Sequence, residues 1–225
     1  MLAVGILVVV AFLGRVGPRH AMLVAGPLGA AAMLALARRA GLSVADLGLG
    51  RRTWRRGAVY AMACVAAVAA GYAVAAWLPA TRSAFLDERY GTGFRSALVT
   101  AAVVIPLGTV LFEEVAFRGV LWGLLRARHG AAWATAASSS LFGCWHVLPS
   151  LRLTEVNPAV AGLVGTGPPG RALAVAGAVL FTAAAGVLLC ELRRRSGSLL
   201  APLGLHWAVN GLGVLASAGV TARSA

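Results

Sequence analysis

An all-α, polytopic bundle of about seven (six to eight) transmembrane helices is the fold this sequence predicts, on three observations. Hydrophobic residues make up 60% of the 225-residue chain and charged residues only 12%, roughly half the charged share that covers a soluble domain. The apolar residues collect in runs close to the ~20 residues that a helix needs to cross a bilayer. Basic residues cluster between those runs, as RR at 38–39, RRTWRR at 51–56 and RRR at 193–195. This composition excludes an ordinary soluble enzyme. A formal net charge of +13 does not point to nucleic acid, because loop arginines beside lipid headgroups account for it more simply.

The first run, 2–14, is short for a crossing. Its sequence MLAVGILVVVAFLGRVG lacks a basic n-region and a small-x-small cleavage signal, so a retained first helix is expected. The second and third runs are 21–37 and 57–78, joined by a 38–56 segment that mixes apolar, basic and glycine residues and reads as a connector in the headgroup region. The fourth run, 96–125, is long enough to tilt or project, and Pro106 within it removes a backbone donor and should bend it. A fifth run covers 131–149. The 150–170 stretch, with Pro158, Pro168 and Pro169, is expected to be a loop or a partly re-entrant segment. Runs at 171–190 and 197–218 complete the set. No internal repeat or appended soluble domain stands out, so one membrane domain over 1–225 is expected. Cys64, Cys144 and Cys190 lie in apolar runs without CxxC spacing and read as small buried side chains.

The informative residues are polar ones where lipid should forbid them, since an ionisable group at mid-bilayer costs about 2.5–3.5 kcal/mol even on lenient scales. In PLGTVLFEEVAFRGVLWGLL, Glu113, Glu114 and Arg118 interrupt an apolar helix. Glu114 and Arg118 are four apart and share a face, whereas Glu113 points about 100° around the helix. Glu114 is therefore expected to pair with Arg118, leaving Glu113 as a general base or acid. His146 lies deep in the fifth run, one turn after Phe142, and His206 and Asn210 stand i,i+4 in the last run. That asparagine could fix the imidazole tautomer or donate to an oxyanion.

A carboxylate, two imidazoles and an amide in one protein-lined cavity are the equipment for hydrolysing a peptide bond. Two wirings are open from the residues alone. In one, Glu113 deprotonates water while His146, His206 and Asn210 position it and stabilise the tetrahedral intermediate. In the other, Glu113 and the histidines hold Zn²⁺ with a bound water as nucleophile, although no HExxH signature is present. A different class of reading uses the same buried polar groups in a transporter or in a non-enzymatic immunity or adaptor protein.

Three ordered motifs carry a resemblance: EEVAFR at 113–118, FGCWH at 142–146 and HWAVN at 206–210. Together they resemble the EExxxR, FxxxH and HxxxN patterns of the CPBP intramembrane proteases, also called the CAAX prenyl protease 2, Abi or lysostaphin resistance protein A-like family. The resemblance runs from about residue 45 to about 218, where a protease core is expected. It implies a multi-pass protein of the cell membrane whose site opens to the membrane. The family pattern makes Glu113 the water activator and His146, His206 and Asn210 the other catalytic positions, with Glu114 and Arg118 in support. It implies glutamate-activated water with no required metal, and a membrane protein or lipidated peptide as partner, a prenylated CAAX tail among the candidates. Nucleic acid has no part in that reading.

Overall fold

The computed structural model describes residues 2–18, 20–86 and 93–224. Among them every regular element is helical, and no strand occurs. Residues 87–92, in the loop expected at 79–95, lie outside the described residues. Helices α1 (Leu2–Val16) and α2 (Ala21–Arg39) pack together, followed by α3 (Trp54–Trp77). A helical run then covers Phe94–Ser150 and breaks at Gly130, which has φ +82°. Its two arms are α4 (94–129) and α5 (131–145). The last long helices are α6 (Pro168–Ser196) and α7 (Leu200–Arg223).

Side chains prove that α5 folds back on α4. Ser138 Oγ donates to the Phe117 carbonyl at 2.8 Å, and the Phe117 and Trp145 rings are 5.9 Å apart. Residues 117 and 145 would be separated by about 42 Å along a straight helix. Glycine at 130 supplies the left-handed backbone that the reversal requires.

Five helical runs, rather than the expected six to eight, are long and apolar enough to cross a membrane. Two physical reasons account for the difference. The first helix has only 15 residues, and the expected fourth and fifth runs are both present as α4 and α5 but are joined without a loop, so they count as one run although Gly130 reverses the chain between them. The protein is a multi-pass integral membrane protein of the cell membrane. Its apolar side chains accordingly face outward, including Val59, Met62, Val74, Trp77, Leu173, Leu180 and Phe181.

Small residues bring the helices close. A Cβ on Gly204 of α7 would lie 2.5 Å from Ala61 Cβ, and one on Gly57 would lie 2.5 Å from Ser198 Oγ. Thus α3 meets α7 through a small-xxx-small stripe at Gly57 and Ala61, the kind of surface on which membrane helices pack without a hydrophobic drive. Gly143 and Gly186 similarly seat α5 on α6. Pro168 opens α6, and Gly197, with φ +71°, closes it by donating its N–H to the Arg193 carbonyl at 3.0 Å.

The 40–50 connector is more ordered than a headgroup-anchoring segment needs to be. Ser43 and Asp46 exchange three hydrogen bonds, and the two that the Asp46 carboxylate accepts, from the Ser43 hydroxyl and N–H, hold it below its ordinary range. Arg193 Nη2 donates to the Asp46 carbonyl at 2.8 Å, and Leu199 N–H donates to the Gly48 carbonyl at 2.9 Å. These contacts tie the connector to the α6–α7 turn and bury Leu47. The expected loop at 150–170 instead folds into short helices, Leu153–Val156 and Pro158–Val164, the latter capped by Asn157 Oδ1 on the Val160 N–H.

Candidate functional site

Widened helical turns carry the polar residues. Within α4, π-type turns at Thr100–Val104 and Pro106–Val110 flank Pro106, whose missing N–H relaxes the ladder there. A third spans Glu114–Leu121, and α7 has one at Ala208–Leu212. Such turns recur at functional positions because they re-aim side chains within a continuous helix. Phe112 and Val10 both pack at Gly29, which places the level of the carboxylates about 12 Å from the Ala21 end of α2 and about 15 Å from the Arg39 end. That level is near the middle of α2, one of the helices long and apolar enough to cross a membrane.

Glu114 and Arg118 are fully buried and pair as the spacing predicts, with Nη1 to Oε1 at 3.0 Å. The Arg118 guanidinium lies 3.9 Å from the centroid of the Phe142 ring, a cation–π contact strengthened by desolvation. The same ring meets the edges of His146 and His206, with centroids 4.6 and 5.8 Å away. Phe142 thus fixes three polar side chains at once.

His206 is held between the two carboxylates. Its Nδ1 lies 2.7 Å from Glu114 Oε1, and its Nε2 lies 3.7 Å from Glu113 Oε2. A carboxylate beside a guanidinium only accepts, so Nδ1–H donates to Glu114 and the Nε2 edge turns toward Glu113. Glu114, not Asn210, therefore fixes the tautomer, which corrects one of the two duties that the i,i+4 spacing left open for the asparagine. Glu113 Oε1 accepts from Trp145 Nε1 at 2.9 Å, whereas its buried Oε2 has no donor.

Two cavities flank this set. One, of about 380 Å³, is lined by His146, His206 and Asn210 together with Phe142, Phe181, Leu188 and Leu205. His146 Nδ1 donates to the Phe142 carbonyl at 2.8 Å, so its Nε2 remains for other partners. The other, of about 410 Å³, is lined by Glu113, Trp145, Thr109 and Arg15 among others. All six candidates thus gather in one region, but not around one cavity: Glu113 faces the second, the histidines and Asn210 face the first, and His206 bridges them. Trp145 was missed from sequence, because a tryptophan in an apolar run reads as core. The available signal was its indole N–H, which needs an acceptor when buried.

Among the described residues, no three His, Cys, Asp or Glu side chains form a metal-binding group. The model of the Rce1-like family, described as type II CAAX prenyl endopeptidase Rce1-like, matches residues 95–212, just over half of the 225-residue chain. All six candidate residues fall inside the match. No curated protein and no solved structure matches the chain.

Proposed function

We infer the function from one premise, that the chain belongs to the Rce1-like family of type II CAAX prenyl endopeptidases: it is an intramembrane endopeptidase that hydrolyses a peptide bond in a membrane-associated protein, with a prenylated CAAX-type tail the first substrate to test. The observation that carries this reading is the His206 ring set between two buried carboxylates, at 2.7 Å from Glu114 and 3.7 Å from Glu113. The longer separation exceeds a direct hydrogen bond, and a water about 2.8 Å from both atoms fits such a gap.

In this mechanism Glu113 Oε2 takes a proton from that water, and the hydroxide adds to the scissile carbonyl carbon. His206 Nε2 orients the water, while its Nδ1–H is committed to Glu114. The Asn210 amide, on the adjoining cavity, donates to the oxyanion with His146 as its companion. Collapse breaks the C–N bond, and Glu113 returns its proton to the leaving amine. The apolar lining around Phe181 and Leu188, two residues exposed on the outer face of α6, suits a substrate that enters from lipid. Glu113 itself activates the water here, so a chelator should leave the rate unchanged, whereas the Zn²⁺ wiring requires its loss.

The test is cleavage of prenylated and unmodified peptides by the protein purified in detergent, with Glu113→Gln and chelator in parallel. Loss of a positioned base should lower the rate by about 10²–10⁴-fold while the variant elutes and melts as a folded protein. Cleavage by Glu113→Gln at the wild-type rate would overturn the assignment.

A further inference from the structure

Resting on the endopeptidase reading, we propose that Tyr72 and Trp207 are positioning residues: their hydrogen bonds to two backbone carbonyls hold the widened turn of α7 so that the Asn210 amide faces the histidine cavity. Both act through Asn210 rather than on the reacting atoms.

Asn210 needs such support because nothing holds its side chain. Among the described residues its amide forms no hydrogen bond, and it stands between two cavities. One is the cavity of His146 and His206. The other, of about 310 Å³, is lined by Tyr72, Phe85, Gly213 and Ser217. An amide with space on both sides takes its direction from the backbone, and that backbone is the π-type turn Ala208–Leu212. Such turns are rare, so contacts from outside the turn must favour this one.

Both carbonyls are ones that their helices leave short of a donor. In α7 the Gly213 N–H, which would bond to the Val209 carbonyl in a regular α-helix, donates to the Asn210 carbonyl instead. Tyr72 Oη, from α3, donates to the Val209 carbonyl at 2.9 Å. In α4 the Ile105 N–H donates to the Thr100 carbonyl, five residues back. The same pattern would give the Ala101 carbonyl the N–H of residue 106, which is proline and has none. Trp207 Nε1 supplies the donor at 2.8 Å.

The surroundings are shaped to these two bonds. A Cβ on Gly211 would lie 3.0 Å from Trp207 Nε1 and 3.2 Å from its Cε2, so glycine there lets the indole lie along the turn and reach α4. The Tyr72 ring meets Phe85 edge to face, with centroids 5.7 Å apart, and the Phe85 carbonyl accepts from Ser217 Oγ of α7 at 2.6 Å. The ties to α4 and α3 therefore grip the turn on either side of Ala208, from different helices, and the turn cannot rotate without breaking one. His206 has its own support in Glu114, so a loosened turn should misdirect Asn210 first.

The experiment measures cleavage of one prenylated CAAX-type peptide in detergent by wild type, Tyr72→Phe, Trp207→Phe and Asn210→Ala, and by each aromatic change combined with Asn210→Ala. Tyr72→Phe removes one hydroxyl from a half-buried ring and should keep the fold. It should lower kcat by about tenfold or more with KM within about twofold, because a misaimed donor loses rate rather than affinity. In the Asn210→Ala background the same change should cost nothing further, since its effect passes through the amide. An unchanged kcat in Tyr72→Phe, or a loss as large without Asn210 as with it, overturns the proposal. For Trp207 the control is Pro106→Ala, which gives residue 106 an N–H for the Ala101 carbonyl. Combined with Trp207→Phe it should restore the melting temperature but not kcat; recovery of both would reduce the indole to a structural donor and overturn its positioning role. Hydrogen–deuterium exchange needs no substrate. The amides of 208–213 should exchange about fivefold faster in Tyr72→Phe and in Trp207→Phe, the size of one neutral hydrogen bond. Faster exchange in a protein that cleaves no peptide supports the two ties and faults only the endopeptidase reading, whereas unchanged exchange rejects them.

Discussion

Replacing Glu114 with Gln should damage the fold, whereas the same change one residue earlier should spare it. Glu114 Oε1 accepts from both Arg118 Nη1 and His206 Nδ1, at 3.0 and 2.7 Å. Arg118 is fully buried, and its Nε and Nη2 already have no acceptor. Neutralising Glu114 leaves a guanidinium in a dry interior with no counter-charge, against an amide oxygen and the Phe142 and Phe117 rings, and breaking a buried pair from one side costs about 3–5 kcal/mol. For a chain of this length that corresponds to a fall in Tm on the order of 10 °C. An amide at position 113 keeps an oxygen for the Trp145 N–H and breaks no ion pair at hydrogen-bonding distance, so Glu113→Gln should cost less than about 1 kcal/mol. Thermal unfolding in one detergent, followed by loss of the monodisperse elution peak, compares the two. Adding Arg118→Met to Glu114→Gln should recover much of the loss, because the orphaned charge is gone and the amide oxygen introduced at position 114 still accepts from His206. The reasoning fails if Glu114→Gln melts with wild type, or if the double variant is less stable than the single one.

Two further changes probe other contacts. Trp145→Phe removes the donor that holds Glu113 Oε1 and should lower kcat by about 10- to 100-fold with little change in KM, since a misplaced base loses rate rather than affinity; single-turnover cleavage separates the two, and an unchanged kcat would make that hydrogen bond irrelevant to the reaction. Gly204→Ala sets a Cβ 2.5 Å from Ala61 Cβ and 2.8 Å from its Cα, and forcing α3 and α7 apart should cost about 1–3 kcal/mol. Gly177→Ala in α6 meets nothing within 4 Å and should be neutral or stabilising by up to about 1 kcal/mol; the same thermal unfolding measurement checks both glycines.

What the sequence disclosed follows the range of each interaction. Apolar runs are local signals, and they located the long helices, although Pro168, read as part of a loop, opens α6 and Gly197, read as the start of the last run, closes it. The Glu114–Arg118 pair spans one turn, so periodicity alone assigned it and set Glu113 apart. Contacts between distant segments were out of reach. His206 meets Glu114 across 92 positions and Trp145 meets Glu113 across 32, and nothing in either neighbourhood names its partner. The asparagine four residues from His206 was the nearest polar group in sequence, and so it was a candidate for the role that Glu114 fills. The division into two cavities depends on Trp145 and on the reversal at Gly130, both visible as letters but silent about direction. The run count differs for a related reason: hydropathy separates the fourth and fifth runs, whereas the α4 and α5 arms that they become have no loop between them, only the reversal at Gly130.

Two neighbouring glutamates can hold opposite duties because the buried charges do not cancel. Glu114 faces a permanent cation and a ring N–H, and both contacts occupy the same oxygen as acceptor. With His206 neutral, Glu113, Glu114 and Arg118 together leave one negative charge in excess. Glu113 has a single donor, the Trp145 indole, on one oxygen, while its other oxygen faces an imidazole edge 3.7 Å away. Both glutamates have an oxygen without a donor, Glu113 Oε2 and Glu114 Oε2, but of the two Glu113 lines a cavity, so its oxygen is the acceptor left open for a water proton. Removing Arg118 would thus do more than unpair Glu114: it would double the uncompensated negative charge around His206, so the guanidinium supports Glu113 without touching it.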